Sequence, residues 1–211
     1  MHPAQATKVT RTHAFSLIEL LVVIAIISLL TTLTIPAVGS INSASKRTQF
    51  LSTFSNVLET ARQYAVANNT YVWVAFGEKD NNLYTATVSS RSGLSQGYGP
   101  AEIWNNQTIN LQNADDFSLI SRVVKLGEYT ISSAPADFSS QPGFQTTAGG
   151  TGSLLLSRSV QFSPSGEARV APGLRGDMVF AAKAVQGQFA DREEKIVVNG
   201  LTGFVSVQGD D

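Results

Sequence analysis

The chain opens on an almost uninterrupted apolar stretch. Between Phe15 and Val38 the one ionisable residue is Glu19, and Leu20–Leu30 is interrupted only by Ser28. At about 1.5 Å per residue, a helix over 15–38 would be roughly 36 Å long, enough to cross a ~30 Å hydrocarbon layer. The alternative is a buried helix of a soluble protein, but such helices are rarely apolar on every side. The pattern predicts a membrane-spanning helix.

A second helical pattern follows over 39–69 and has one polar face. Lys46 and Arg47 come first and are expected to meet lipid headgroups. The apolar residues then recur at helical spacing: Phe50, Leu51, Phe54, Val57, Leu58, Ala61, Tyr64 and Ala65. The pattern stops near Asn68–Asn69, residues that favour helix ends. Joined to the apolar stretch, it predicts one helix of roughly 54 residues, about 80 Å long.

From Tyr71 onward the pattern changes to that of strands. Tyr71–Phe76 and Leu83–Val88 flank a predicted loop, Gly77–Asn82, and read as a hairpin. Further strands are predicted at Val123–Leu126, Tyr129–Ile131, Ser159–Phe162, Ala168–Val170, Met178–Val185, Lys195–Val198 and Phe204–Val207. Ser89–Asn113 and Pro135–Gly152 are long and polar and are predicted surface loops. The fold class is therefore α+β, a long helix packed on an antiparallel β-rich head over 70–211.

Composition narrows the function classes. The chain has 211 residues, with 15 Lys+Arg against 16 Asp+Glu, so a strongly basic nucleic-acid binder is excluded. There is no cysteine, which excludes disulfides and thiolate zinc sites. The two histidines are His2 and His13. Cleavage anywhere between His13 and the apolar stretch would remove both imidazoles.

The N-terminal residues allow two kinds of processing. A conventional signal peptide would be cut after the apolar run, for example after Gly39, and would release a soluble product. A cut before the run, after Ala14, would leave a 1–14 leader and a retained membrane helix. The basic residues on the two sides of the run, Lys8 and Arg11 against Lys46 and Arg47, do not decide its orientation.

The segment from Ala14 to Ile27, AFSLIELLVVIAII, resembles the class III signal of type IV pilins and pseudopilins. The resemblance implies that a prepilin peptidase cuts between Ala14 and Phe15 on the cytoplasmic face and methylates the new amine of Phe15. Pro36 falls where the helix of that family often kinks. The family usually has Gly before the cut, and Ala14 is a departure that would make processing less efficient.

Glu19 is a carboxylate within an apolar helix, where a charge costs about 2.5–3.5 kcal/mol on insertion scales. In the family, this Glu is thought to face the N-terminal amine of a neighbouring subunit, so that one charge pair sets the stagger of the filament. The alternative is that Glu19 lies near the helix end and reaches the membrane interface without a partner.

The later part of the chain strengthens the resemblance. Ala61–Ala67, Val160–Gly166 and the closing Lys195–Val207 are similar to GspH/FimT-type minor pseudopilins and minor pilins. A pilin-like cassette protein of the Verrucomicrobia type is an alternative because the predicted loops are long. The resemblance implies a non-enzymatic subunit of a type II secretion pseudopilus or a type IV pilus-like filament. Its implied partners are the prepilin peptidase, other pilins, an inner-membrane assembly platform and membrane lipid.

The resemblance also implies a place in the cell and one alternative function. The protein would be single-pass in a bacterial inner membrane, with a cytoplasmic N-terminus and an extracytoplasmic head. Some minor pilins of this kind take up DNA, and Arg158, Arg169 and Arg175 could form a basic patch. Cleavage after Ala14 would leave 13 basic against 16 acidic residues, which makes nucleic acid an unfavourable partner.

Signals for catalysis and metal binding are weak. Gly93–Gly97 matches G-x-S-x-G, but the Tyr-Gly-Pro that follows is a poor helix start, and a processed chain would have no histidine. No cofactor is predicted. Three acidic groups could supply calcium ligands but lack EF-hand spacing: Asp80–Asn82, Asp115–Asp116 and Asp191 with Glu193–Glu194.

Overall fold

The computed structural model describes residues 16–93, 108–135, 143–148, 152–170, 176–186, 190 and 192–208, and only the backbone of 33–42. The chain divides into two compact units, Met1–Asn42 and Ser43–Asp211. The expected boundaries at 14, 38 and 69 remain predictions.

One long helix and a series of short strands make up the described chain. The helix α1 is Leu17–Ala67. The strands are β1 Val72–Lys79, β2 Asn82–Ser90, β3 Thr108–Asn110, β4 Phe117–Leu119, β5 Val124–Gly127, β6 Tyr129–Ser133, β7 Gly143–Ala148, β8 Gly152–Leu156, β9 Arg158–Phe162, β10 Ala168–Arg169, β11 Met178–Ala184, β12 Glu193–Val198 and β13 Val205–Gln208. This order confirms the predicted α+β class and the single long helix.

The helix ends where the asparagines were expected to end it. Asn69 has φ 50°, a left-handed conformation that asparagine tolerates better than most residues. The Asn69 amide donates to the carbonyl of Val66 at 3.4 Å, and the Thr70 amide donates to that of Ala65 at 3.1 Å. These two hydrogen bonds form a Schellman motif, which satisfies carbonyls left open by the last turn.

The described strands form three sheets. The first has the order β10-β9-β1-β2-β4, with β5 also paired to β2, and the second has the order β13-β12-β11-β6. The third is β3-β7-β8, in which β3 and β7 are parallel. The other described pairings are antiparallel, as predicted.

β1 is buried on both faces. Val72, Val74 and Phe76 point into a first core, which α1 covers with Phe50, Phe54, Leu58, Ala61 and Ala65. Trp73 and Ala75 point the other way, into a second core closed by Phe117 of β4 and by Phe144, Leu154 and Leu156 of the third sheet. The apolar stripe predicted on α1 is therefore confirmed as a packing surface. The continuous apolar run of β1 reflects a strand covered on both sides.

The third sheet approaches β1 closely. A Cβ built on Gly77 would lie 2.2 Å from the backbone oxygen of Leu155. Because real Cβ atoms cannot come so near a carbonyl, the absence of a side chain at Gly77 allows β8 to lie against this face.

Two loop predictions were wrong. The hairpin loop was placed over Gly77–Asn82, but the strands continue to Lys79 and Asn82 and leave a two-residue turn. Its residues Asp80 and Asn81 have φ 49° and 59°, as a type I′ turn requires. The second error concerns the polar stretches predicted as surface loops, which contain β3 and β7. The pattern missed them because β3–β7 is a non-local pairing of short, polar strands.

α1 is also joined to the second sheet by an ion pair. The Nη2 of Arg47 donates to Glu194 Oε2 at 2.8 Å, and its Nε donates to Oε1 of the same carboxylate. The carboxylate is 3% exposed and the Arg47 side chain 32% exposed. Arg47 pairs with Glu194, whose carboxylate its guanidinium fork binds in a bidentate manner. The expected contact of Arg47 with lipid headgroups stays a prediction.

Candidate functional site

The candidate site is the first part of α1. Its large apolar residues are Leu17, Ile18, Leu20, Leu21, Val22, Val23, Ile24, Ile26, Ile27, Leu29 and Leu30, and they are 44–83% exposed. They surround the helix rather than forming one stripe. A surface of this kind is characteristic of a segment that is covered by lipid or by other protein chains.

Glu19 lies in the first turn of α1 and caps the N-terminal end of the helix. Its Oε2 accepts a hydrogen bond from the backbone amide of Ser16 at 2.9 Å. Ser16 precedes the first helical residue and Glu19 is the third, so this is the glutamate half of a capping box. Glu19 therefore satisfies a helix-end donor of its own chain, in a segment that offers few other polar partners. The S-x-x-E spacing could have revealed this role in the sequence.

The hydroxyl groups of the apolar segment also bond within the helix. Ser28 donates to the carbonyl of Ile24 at 2.7 Å, and Thr31 donates to that of Ile27 at 2.6 Å. Thr32 donates to the carbonyl of Leu29 at 2.8 Å. Since each hydroxyl is satisfied by its own helix, these side chains add little cost in an apolar environment.

Three of the predicted site residues are not placed in detail. Ala14 and Phe15 lie outside the described residues. Pro36 lies within α1, which runs without a break from Leu17 to Ala67. The cleavage site, the methylated amine and the kink remain predictions. In the part of the chain that the structure describes, no helix has the length and hydropathy needed to span a membrane.

Comparison with known families identifies the N-terminal part of the chain. Residues 10–35 match the family described as the prokaryotic N-terminal methylation motif. This match supports a type IV pilin-like protein. It implies processing by a prepilin peptidase, assembly with other pilins and a membrane-anchored, filament-forming subunit. No curated protein and no solved structure matches the chain.

The arginines considered for DNA binding face carboxylates. Arg158 lies 3.6 Å from Glu78, and Arg169 pairs with Glu167. Arg175 lies outside the described residues. An arginine that already has a carboxylate partner contributes little to a phosphate-binding surface. Neither described arginine therefore favours DNA as a ligand.

Two of the three acidic groups considered for calcium take part in contacts of the fold, whereas Asp116 Oδ2 is buried and has no hydrogen-bond partner among the described residues. Asp80–Asn82 includes the β1–β2 turn, where the side-chain amide of Asn82 donates to the backbone carbonyl of Asp80 at 2.7 Å. Glu193 lies 3.3 Å from Lys183 and accepts a hydrogen bond from Ser132. Hydrogen bonds from Lys183 and then Ser132 lower the pKa of the Glu193 carboxyl.

Asp115 and Asp116 fall within the described residues and precede β4, whereas the other named groups are described only in part. Gly93 alone represents the Gly93–Gly97 stretch, and Asp191 lies outside. No group of three or more metal-ligating side chains occurs among the described residues.

Proposed function

We propose that the chain is a minor pilin or pseudopilin: a non-enzymatic subunit held in a bacterial inner membrane by its apolar N-terminal helix and then assembled into a filament. The filament would be a type II secretion pseudopilus or a type IV pilus-like fibre. The head, 70–211, would lie outside the cytoplasm. Prepilin peptidase would process the chain, and an assembly platform and other pilins would receive it.

The observation that carries this proposal is the exposed apolar segment at the start of α1, whose N-terminal end is capped by Glu19. Removing the exposed half of one such side chain from water stabilises by about 1 kcal/mol. Covering the whole segment with lipid or with like helices therefore stabilises by on the order of 10 kcal/mol relative to leaving it in water. In a filament, lipid would be exchanged for neighbouring α1 helices. The proposed charge partner of Glu19 is the methylated amine of a neighbouring Phe15.

The processing step is tested by intact mass spectrometry of full-length protein extracted from membranes. The expected product begins at Phe15 and carries a methylated amine. Ala14→Gly, which introduces the usual residue of the family, should be cut at the same bond and at least as completely. A product beginning near Ser40 would instead indicate a conventional signal peptide and a soluble product, and the proposal would be wrong.

Two substitutions separate the possible roles of Glu19. Glu19→Gln keeps an acceptor for the Ser16 amide but removes the charge, whereas Glu19→Ala removes both. If a charge pair between subunits guides assembly, both variants should enter the membrane and both should lose cross-linking to other filament subunits. Membrane fractionation followed by cross-linking measures the two steps separately.

The other outcomes contradict the charge-pair role. Loss of cross-linking in Glu19→Ala alone would assign Glu19 to helix capping. Cross-linking like that of the wild type in both variants would leave Glu19 as a carboxylate that merely reaches the interface. A failure of either variant to enter the membrane would place its role before assembly.

A further inference from the structure

A cavity of about 480 Å³ lies between α1 and the β5–β6 connection, within the second compact unit. Ser43, Lys46 and Gln49 line it from α1, at the i, i+3, i+6 spacing of one helix face. The opposite wall includes Lys125 and Tyr129. Its volume is within the range of pockets that hold small ligands.

The charged side chains that line the cavity are Lys46, Lys125 and Glu128. Neither Lys46 nor Lys125 makes an ion pair among the described residues, whereas the neighbouring Arg47 is occupied by Glu194. Gln49 adds an amide, and one carboxylate, that of Glu128, opposes the two ammonium groups. The net charge of the lining is therefore positive.

Tyr129 is a largely buried side chain that lines this cavity. It is 7% exposed, and no hydrogen bond to its hydroxyl occurs among the described residues. Its ring stacks on Phe50 with 3.8 Å between centroids, which fixes its position. Burial and then the charge of Glu194 raise the pKa of Tyr129, so the phenol keeps its proton. A protonated phenol without a partner is a donor for an incoming anion.

We propose that this cavity binds the phosphate of an anionic phospholipid headgroup, with Lys46 and Lys125 as its cations and the Tyr129 hydroxyl as a hydrogen-bond donor. Leu126 and Ala184 give the apolar part of the lining, suited to the glycerol and first methylenes. The choice of a lipid rests on the proposed function: Ser43 comes five residues after Val38, where a membrane-held chain would leave the bilayer.

Native mass spectrometry of the full-length chain in detergent tests the site with short-chain lipids. The probes are dihexanoyl phosphatidylglycerol and dihexanoyl phosphatidylcholine, with inorganic phosphate as a competitor. The wild type should retain one phosphatidylglycerol in preference to phosphatidylcholine. Lys46→Gln and Lys125→Gln should each weaken retention about fivefold, because a lysine near an anionic lipid contributes about 1 kcal/mol.

Further variants control for charge and for folding. Glu128→Gln removes the opposing carboxylate and should strengthen retention, a direction that general damage to the fold would not give. Tyr129→Phe should weaken the retention of phosphatidylglycerol with little change in circular dichroism. Lys79→Gln changes the net charge by the same amount as the lysine variants, but Lys79 lies outside the cavity and bonds the Ser153 carbonyl, so retention should stay at the wild-type level.

Three results would overturn the proposal. The cavity does not recognise the headgroup if the wild type retains the two lipids equally. The same conclusion follows if the double variant Lys46→Gln/Lys125→Gln retains phosphatidylglycerol as well as the wild type does. Displacement of phosphatidylglycerol by millimolar phosphate would identify free phosphate as the ligand. Because the short-chain lipids report binding without membrane insertion, the result is independent of the cleavage and cross-linking tests of the proposed function.

Discussion

Removing the charge of Arg47 should destabilise the fold more than removing the charge of Glu194. Arg47→Met leaves a carboxylate that is 3% exposed without its cation. Removing one partner of a buried pair in this way costs about 3–5 kcal/mol. Glu194→Gln leaves a guanidinium whose side chain is 32% exposed and can turn toward water, so its cost should be nearer to about 1–2 kcal/mol.

Urea unfolding of the full-length chain in detergent, followed by circular dichroism, measures both costs. The double variant Arg47→Met/Glu194→Leu is the matched control. It replaces both charges with apolar side chains and should recover most of the loss of Arg47→Met, because no buried charge is left alone. If Arg47→Met costs no more than Glu194→Gln, the argument from burial is refuted.

Tyr129 provides an independent readout of the same pair. Burial is the first cause that raises its pKa; the charge of Glu194 raises it further and that of Arg47 lowers it. Glu194→Gln should therefore lower the pKa of Tyr129 and Arg47→Met should raise it, as measured by the ultraviolet absorbance of the phenolate. Because the folded-state pKa is above the unfolded value of about 10, the associated stability is present below that pH and is lost as the pH rises through the folded pKa. Shifts in the same direction would contradict this account.

Two further predictions concern the third sheet. Phe144→Ala should lower the free energy of unfolding by about 3–5 kcal/mol because Phe144 is fully buried in the second core. Leu155→Ala on the same sheet should lower it by less than about 1 kcal/mol because Leu155 is 49% exposed. Equal losses in urea unfolding would refute the packing of this sheet on β1. Gly77→Ala places a Cβ 2.2 Å from a carbonyl of β8 and should cost at least about 1–3 kcal/mol. Gly176→Ala is the control, because no atom of the described residues lies within 4 Å of a Cβ built there, and it should leave the melting temperature nearly unchanged.

Local signals in the sequence accounted for the elements that form from neighbouring residues. The long helix follows from a continuous apolar stretch and then from apolar periodicity over 50–65, and its end follows from asparagines that tolerate a left-handed backbone. The N-terminal motif follows from an apolar segment with one carboxylate, matched at residues 10–35. The capping box was also present as Ser16 and Glu19, because its two residues are only three positions apart.

The features decided by tertiary structure join residues far apart in the chain. Arg47 meets Glu194 across 147 positions, a pairing that no local pattern in the sequence predicts. β3 pairs with β7 in parallel. The sequence of β7 is mostly polar and places only Phe144 in the second core, so its local pattern does not indicate a strand. Lys46, Lys125 and Tyr129 likewise meet around one cavity only when α1 packs beside β6. Periodicity reports which face of an element is apolar, but it carries no information on which distant element covers that face. Only the packing of the folded chain determines that choice.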